Sequence, residues 1–349
     1  MKYLRITFFL LLISSTVFSQ NNEIKEELSQ LKKQAKLIYN EGVRYAKNGN
    51  IIKAHEKFDQ ALLYFSDFDL PYIERAKLFL LDNKTDLAIN DCNQALKINE
   101  NSGEAYYLKA YIKLKSEDYQ AALPEFTKSI NKGFTKPQAY YYRGIIHFEM
   151  KDYSNALIDF TLAIDKKPNF SYAYNERATT KRMLNDFHGA IHDYEQALVH
   201  DSSIAIVYRN IADCKIKIGD YENALEDYSK AIKRDSNYYI ALNNRGIAYY
   251  QINNFESALN DFSEVIKINK DYAPAYNNLG ITKIQLQNYI GAEKDFDKAI
   301  KINPEYGEAY MNRGHARELL GKFSSACSDW KKAKELGVKE AEKYMTECE

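Results

Sequence analysis

A repeat of 34 residues constrains this chain more than any single motif does. A frame started at Ala35 runs nine times without insertion and ends at Glu340. Position 20 of the frame is alanine every time, from Ala54 and Ala88 through to Ala326. Position 8 is Gly or Ala in all nine frames, from Gly42 to Gly314. Position 24 is aromatic in eight, from Phe58 to Trp330, with Cys92 the exception, and position 4 is Tyr in seven.

Each frame reads as two amphipathic helices. Positions 4, 7, 8 and 11 share one face of the first helix, and positions 20, 24, 27 and 28 share one face of the second. Small residues at 8 and 20 let the two helices approach closely, and aromatics at 4, 17 and 24 fill the space between them. One such hairpin cannot bury its own apolar faces, so neighbours must stack. The scarcity of Gly (14) and Pro (6) in 349 residues fits long helices joined by short turns.

These residues resemble the tetratricopeptide repeat, and "YYQINNFESALNDFSEVIKIN" in the seventh frame is a good example. The resemblance covers residues 35–340. Tyr replaces the usual Trp at position 4, only Pro168 and Pro304 keep the proline at position 32, and position 11 is Lys in four frames. The resemblance implies an all-α fold, a right-handed superhelical solenoid of antiparallel helix hairpins. It also implies that the first helices line a concave groove that binds a partner segment.

Position 7, usually Leu in that pattern, holds Arg75, Lys109, Arg143, Arg177, Arg245 and Arg313. Position 23 of the same frames holds Asp91, Glu125, Asp159, Asp193, Asp261 and Asp329, and the first frame reverses both signs with Glu41 and Lys57. In a hairpin turning near position 15 the two positions face each other. The pattern therefore predicts a same-repeat ion pair in seven of nine hairpins, serving register more than net stability.

The ends read differently. Lys2 and Arg5 precede an apolar run from Ile6 to Phe18, and Val17 and Ser19 supply small residues ahead of Gln20. This is the layout of a secretory signal peptide over 1–19, too short to span a bilayer comfortably. An uncleaved anchor is the competing reading. The mature chain is then expected in the periplasm or outside the cell. Residues 20–34 read as a polar helical lead, and 341–349 as a capping helix after the break at Gly337. Lys+Arg and Asp+Glu balance at 48 each, so no global field steers the chain toward nucleic acid or anionic lipid.

Cys327 and Cys348 lie symmetrically about the Gly337–Val338 turn, so antiparallel helices would place them side by side. A disulfide is expected there in an exported protein, with two free thiols as the alternative. Cys92 and Cys214 read as small core residues.

Catalytic chemistry is not expected. No GxSxG, P-loop, HExxH or GxGxxG occurs, and nine regular frames leave no inserted loop to carry a site. His188 and His192 stand four apart but lack an evident third ligand, so they read as a hydrated helix surface without metal. No cofactor is implied.

The binding face is expected at positions 2, 5, 6, 9, 12 and 13 of the first helices, opposite the packed stripe. In frames three and four these positions gather Tyr107, Tyr111, Tyr141, Tyr142 and Phe148, an interaction patch with inter-repeat packing as the alternative. In later frames they carry Arg209, Asn210, Asp213, Asn243, Asn244, Asn277, Asn278 and Asn312. The asparagines form a column expected to point away from the core, reading a partner's backbone while the aromatics take its apolar side chains. The Lys/Asn/Arg set with which some relatives hold C-terminal carboxylates is not reproduced in any three successive frames. The expectation is a non-enzymatic scaffold for a protein or peptide partner. A structural subunit of an envelope or secretion assembly and a carbohydrate-binding module are the alternatives.

Overall fold

The computed structural model describes the backbone of residues 2–345 and of Cys348, with side chains from residue 24 onward. The chain divides into two compact units, Met1–Lys167 and Pro168–Glu349. In the first, the elements are α1 (Lys2–Lys47), α2 (Ile51–Tyr64), α3 (Asp69–Leu81), α4 (Thr85–Ile98), α5 (Gly103–Lys115), α6 (Tyr119–Asn131), α7 (Pro137–Glu149) and α8 (Tyr153–Lys166). The second holds α9 (Ser171–Met183), α10 (Phe187–His200), α11 (Ala205–Lys217), α12 (Tyr221–Arg234), α13 (Tyr239–Gln251) and α14 (Phe255–Ile268). It continues with α15 (Ala273–Gln285), α16 (Tyr289–Ile302), α17 (Gly307–Leu319) and α18 (Phe323–Glu335). A 3-10 turn at Lys339–Ala341 and the single helical turn α19 (Glu342–Met345) follow. No strand occurs among the described residues.

The hairpin turn is the same in all nine frames. Position 15 adopts a left-handed backbone each time, at Gly49, Asn83, Glu117, Lys151, Asn185, Gly219, Asn253, Gln287 and Gly321. The next residue's N–H reaches back to the carbonyl of position 11, as in Asp118 to Lys113 (3.0 Å) and Asn254 to Tyr249 (2.9 Å). This closes the first helix with a Schellman pattern and satisfies carbonyls the helix end would otherwise leave unpaired. Position 16 then caps the second helix. Asn50, Asp118, Asp152, Asp186, Asp220, Asn254 and Asn288 each accept a backbone N–H three residues on. Lys84 and Lys322 stand at that position without a side-chain cap.

Packing within the hairpin follows the small positions. A Cβ added to Gly246 would lie 2.7 Å from the Phe262 ring, and one added to Gly144 2.8 Å from Phe160, so the ring sits directly on the facing backbone. The alanines at position 20 and the aromatics at position 24 are buried throughout. Positions 4 and 17, expected to be core as well, are only half-buried at most sites; Phe323 is 65 % exposed. The ring at 24 already fills the space between the two helices, so the other aromatics pack along its margin.

The ion pairs predicted between positions 7 and 23 form in all seven hairpins. Arg75, Arg143, Arg177, Arg245 and Arg313 each hold the facing Asp with two hydrogen bonds of 2.6–2.9 Å. Lys57 meets Glu41 at 2.7 Å and Lys109 meets Glu125 at 4.0 Å. Frames six and eight place Ile211 and Leu279 at position 7, and there the acid takes position 11 instead: Lys215–Asp227 and Lys283–Asp295, both 2.6 Å. Lysine at position 11 thus substitutes for a missing partner, a role that the sequence pattern carried without revealing. Some arginines also bridge to the preceding hairpin, as Arg313 does to Asp297 (2.7 Å) and Arg245 to Ser229 (2.9 Å).

Within each unit the first helices of successive repeats approach one another: α3 with α5, α5 with α7, α11 with α13, α13 with α15 and α15 with α17. The second helices approach less closely, so the first helices form the inner side of each unit. The helical lead at 20–34 is part of α1. The side chains of the leader expected at 1–19 lie outside the described residues, as do Thr346, Glu347 and Glu349 of the expected cap. Among the described residues the cap is the 3-10 turn and α19, and a disulfide between Cys327 and Cys348 ties it to α18, with the Cα atoms 5.6 Å apart.

Two stability predictions follow from these ends and turns. Lys84→Asn supplies the missing cap of α4 and should stabilise by about 1 kcal/mol in denaturant unfolding, because Lys84 gives up only an exposed pair with Asp82. Cys348→Ser removes a crosslink closing 21 residues, worth up to about 3 kcal/mol in the chain-entropy view. Hydrogen exchange should then show faster exchange over 338–345 with α13 to α16 unchanged.

Candidate partner-binding face

The seam between neighbouring first helices carries two chemistries in equivalent positions. In the first unit it is aromatic. Tyr107 and Tyr111 of α5 meet Tyr142 of α7, with ring centroids 6.4 and 5.1 Å apart, and Tyr142 meets Tyr141 at 5.2 Å. Phe126 and Phe134 brace Tyr107 at 5.8 and 4.7 Å, and Tyr141 packs on Phe160 at 6.1 Å. Burial, followed by the neighbouring Tyr142 and Tyr111 hydroxyls, pushes the Tyr107 phenol well above its ordinary range, so it stays protonated. Four of the five expected aromatics are thus brought together. Phe148 is not one of them: its ring contact is with Tyr153 at 5.5 Å.

In the second unit the same seam is built from amides. Asn278 donates to Asn243 (3.1 Å) and Asn312 donates to Asn277 (3.0 Å), each from position 6 of one repeat to position 5 of the repeat before. Asn243 also donates to Asn244 (3.3 Å), and Arg209 donates to Asn210 (2.6 Å). One repeat earlier the acceptor is Asp213, which takes Asn244 at 3.1 Å and the Tyr228 hydroxyl at 2.6 Å, with Arg209 at 3.6 Å. Burial and then the Asp213 charge drive the Tyr228 phenol far above its usual range, which keeps it a donor.

This arrangement corrects the expectation that the asparagine column points away from the core. Asn210, Asn243 and Asn277 are only 4–5 % exposed. Positions 5 (Asn243, Asn277) and 6 (Asn210) fall where successive first helices touch, and a buried amide there must find a partner. Asn243 and Asn277 find it in other asparagines, and Asn210 finds it in Arg209. Asn244, Asn278 and Asn312 remain half-buried, each donating across the seam.

Two open hollows lie on the inner face of the second unit. One, of about 300 Å³, is bordered by Arg182, Asp213, Lys217, Tyr228 and Asn244 among others. The other, of about 210 Å³, is lined by Ile247, Tyr250, Gln251, Phe262, Asn278, Ile281 and Thr282. Ile247 and Gln251 border both. Arg182, Lys217, Ile247, Tyr250 and Gln251 occupy positions 9, 12 and 13, columns assigned to this face, but sequence reading favoured the aromatics and amides over the aliphatics there. The position number was the available signal.

Other candidates carry no site. His188 and His192 are exposed, and no group of three or more metal-type ligands gathers among the described residues. Cys92 and Cys214 are buried free thiols, pushed by burial up to about 12 and about 11. Among the described residues no helix is long and apolar enough to cross a membrane.

The comparisons with known proteins agree with this architecture. Tetratricopeptide repeat family models match residues 107–169, 203–271 and 273–306. The matched stretches are tetratricopeptide repeats, and the fold is that of solved tetratricopeptide repeat solenoids. A repeat protein from Parabacteroides merdae superimposes with TM-score 0.55 at 19 % identity, over 70 % of this chain and 98 % of that one. The C-terminal part of a repeat protein from Cytophaga hutchinsonii gives TM-score 0.59 at 18 %, over 68 % and 99 %. YrrB, described as having an unusual peptide-binding site, gives TM-score 0.50 at 22 %, over 53 % and 95 %. A curated relative, the DnaJ homolog subfamily C member 7 homolog of Dictyostelium discoideum, is 31 % identical over 93 residues. That match spans 26 % of this chain and only 17 % of the relative.

The amide ladder makes a direct prediction. Asn277→Ala leaves the Asn312 amide without its acceptor in a buried seam and should cost about 1–3 kcal/mol in chemical denaturation. Loss of stability without loss of helical content in the folded state would identify the residue as structural.

Proposed function

We propose that the protein is an exported, non-enzymatic scaffold that holds an extended segment of a partner protein along the inner face of its second unit. The observation that carries this reading is the pair of adjoining hollows on that face. There Ile247, 37 % exposed, stands beside Tyr250, Gln251 and Asn278 where the repeat's own packing leaves space. Apolar walls with a few amides at the rim suit a peptide whose side chains enter the hollows and whose backbone meets the amides. The peptide-binding site named for YrrB, a similarly folded protein, is in keeping with it. The aromatic seam of the first unit is a weaker candidate, because its rings are engaged with one another. That also argues against sugar stacking. Export rests on the leader layout of residues 1–19, which implies a mature chain starting at Gln20.

A photo-crosslinking residue at Gln251 should capture a partner that the same residue at exposed Lys301, on α16, does not. Ile247→Asp should abolish the capture while the melting temperature stays within a few degrees of the parent. Equal capture at both positions, or capture that survives Ile247→Asp, would overturn the groove assignment.

A further inference from the structure

The charge distribution around the two hollows narrows the chemistry of the segment they would hold, an inference that rests on the groove reading above. The larger hollow presents Arg182 from α9 and Lys217 from α11, together with Asp213. The carboxylate is committed inside the protein: it accepts from Tyr228 and Asn244 and lies beside Arg209. The cations are not neutralised in the same way, although Arg182 also hydrogen-bonds the Tyr194 hydroxyl. Among the described residues, neither Arg182 nor Lys217 has a carboxylate within salt-bridge reach, and the buried Nε of Arg182 makes no hydrogen bond. This sets them apart from the basic residues at positions 7 and 11 of the second unit, such as Arg177, Lys181, Lys215 and Lys283, which all hold an acid.

The smaller hollow has the opposite character. Ile247, Tyr250, Phe262 and Ile281 make its wall, with the uncharged Gln251, Asn278 and Thr282 completing the lining. Because Ile247 and Gln251 border both hollows, one short stretch of chain can enter both. Side chains on the same side of an extended strand are two residues apart.

We propose that the second unit selects an extended peptide segment in which an acidic side chain lies within two residues of a large apolar one. The carboxylate sits between Arg182 and Lys217, and the apolar group fills the hollow of Ile247 and Phe262. Two cations without an acidic partner supply the charge selection, and like charge in the segment is rejected by the same pair. This differs from holding a chain terminus, since the selected carboxylate is a side chain within a continuing segment.

The test is selection of a random twelve-residue peptide library, displayed on phage with both ends blocked by fusion, against the full-length protein. Recovered sequences should be enriched about tenfold in Asp or Glu within two residues of Leu, Ile, Met or Phe. A recovered peptide should bind the Lys217→Glu variant about tenfold more weakly in fluorescence anisotropy. Replacing its acid by Lys should restore binding to that variant. Lys217 is exposed, so this variant keeps its fold; Arg182→Glu, checked by its melting curve, is the second arm. Recovered peptides that need Ile247 but show no acid preference, or no charge-swap rescue, would overturn this inference and leave the groove reading intact. Binding indifferent to Ile247→Asp, or no peptide recovered at all, would remove both.

Discussion

Close approach of the two helices in each hairpin is the constraint on which the rest of the structure depends. Glycine at position 8 lets the ring at position 24 lie directly on the facing backbone, where even an added Cβ would come within 2.5–2.8 Å of it, and alanine is the largest residue used there in the other frames. Once that distance is fixed, positions 7 and 23 face each other, and the buried acid at 23 must be neutralised. Six frames do so from position 7 and two from position 11, while the first frame reverses the pair with Glu41 and Lys57. The lysines that depart from the usual repeat pattern are therefore part of the packing solution in frames six and eight.

The second constraint is stacking. A hairpin leaves an apolar face open, and the next hairpin covers it, bringing first helices of neighbouring repeats into contact. At that seam the chain uses rings in the first unit and amides in the second. Both satisfy the same requirement, since a ring fills the seam by area and an asparagine does so by offering a donor and an acceptor to the next repeat. A column of similar residues on one helix face can thus arise from the needs of stacking. What remains for a partner is the space just beyond the seam, where aliphatic side chains and cations without an acidic partner line the hollows.

Sequence periodicity made most of the fold legible. The frame located both helices of every repeat, the turn at position 15, the ion pairs and the proximity of Cys327 to Cys348. These features depend on spacing within one hairpin, and spacing is what a sequence records. The candidate site was less legible. Tyr107, Tyr111, Tyr141 and Tyr142 were rightly grouped, but Phe148 turned to Tyr153, and Asn210, Asn243 and Asn277 proved buried. A helical wheel gives the direction of a side chain from its own axis. It does not give the angle at which the next repeat arrives, and that angle decides whether positions 5 and 6 see solvent or a neighbouring helix.

The sequence alone determined the repeat, its hairpin geometry and the electrostatic pairing inside each hairpin, because those interactions join residues at fixed separations of about 12 or 16 along the chain. Only the tertiary structure decided which polar residues bond across repeats. Asn243 to Asn278 and Asn277 to Asn312 are interactions between separate hairpins, set by how one packs on the next. The same packing left Arg182 and Lys217 beside a hollow while Asp213 was taken up by Tyr228 and Asn244. A charge's availability depends on every neighbour that reaches it, and those neighbours come from three helices that the sequence lists far apart.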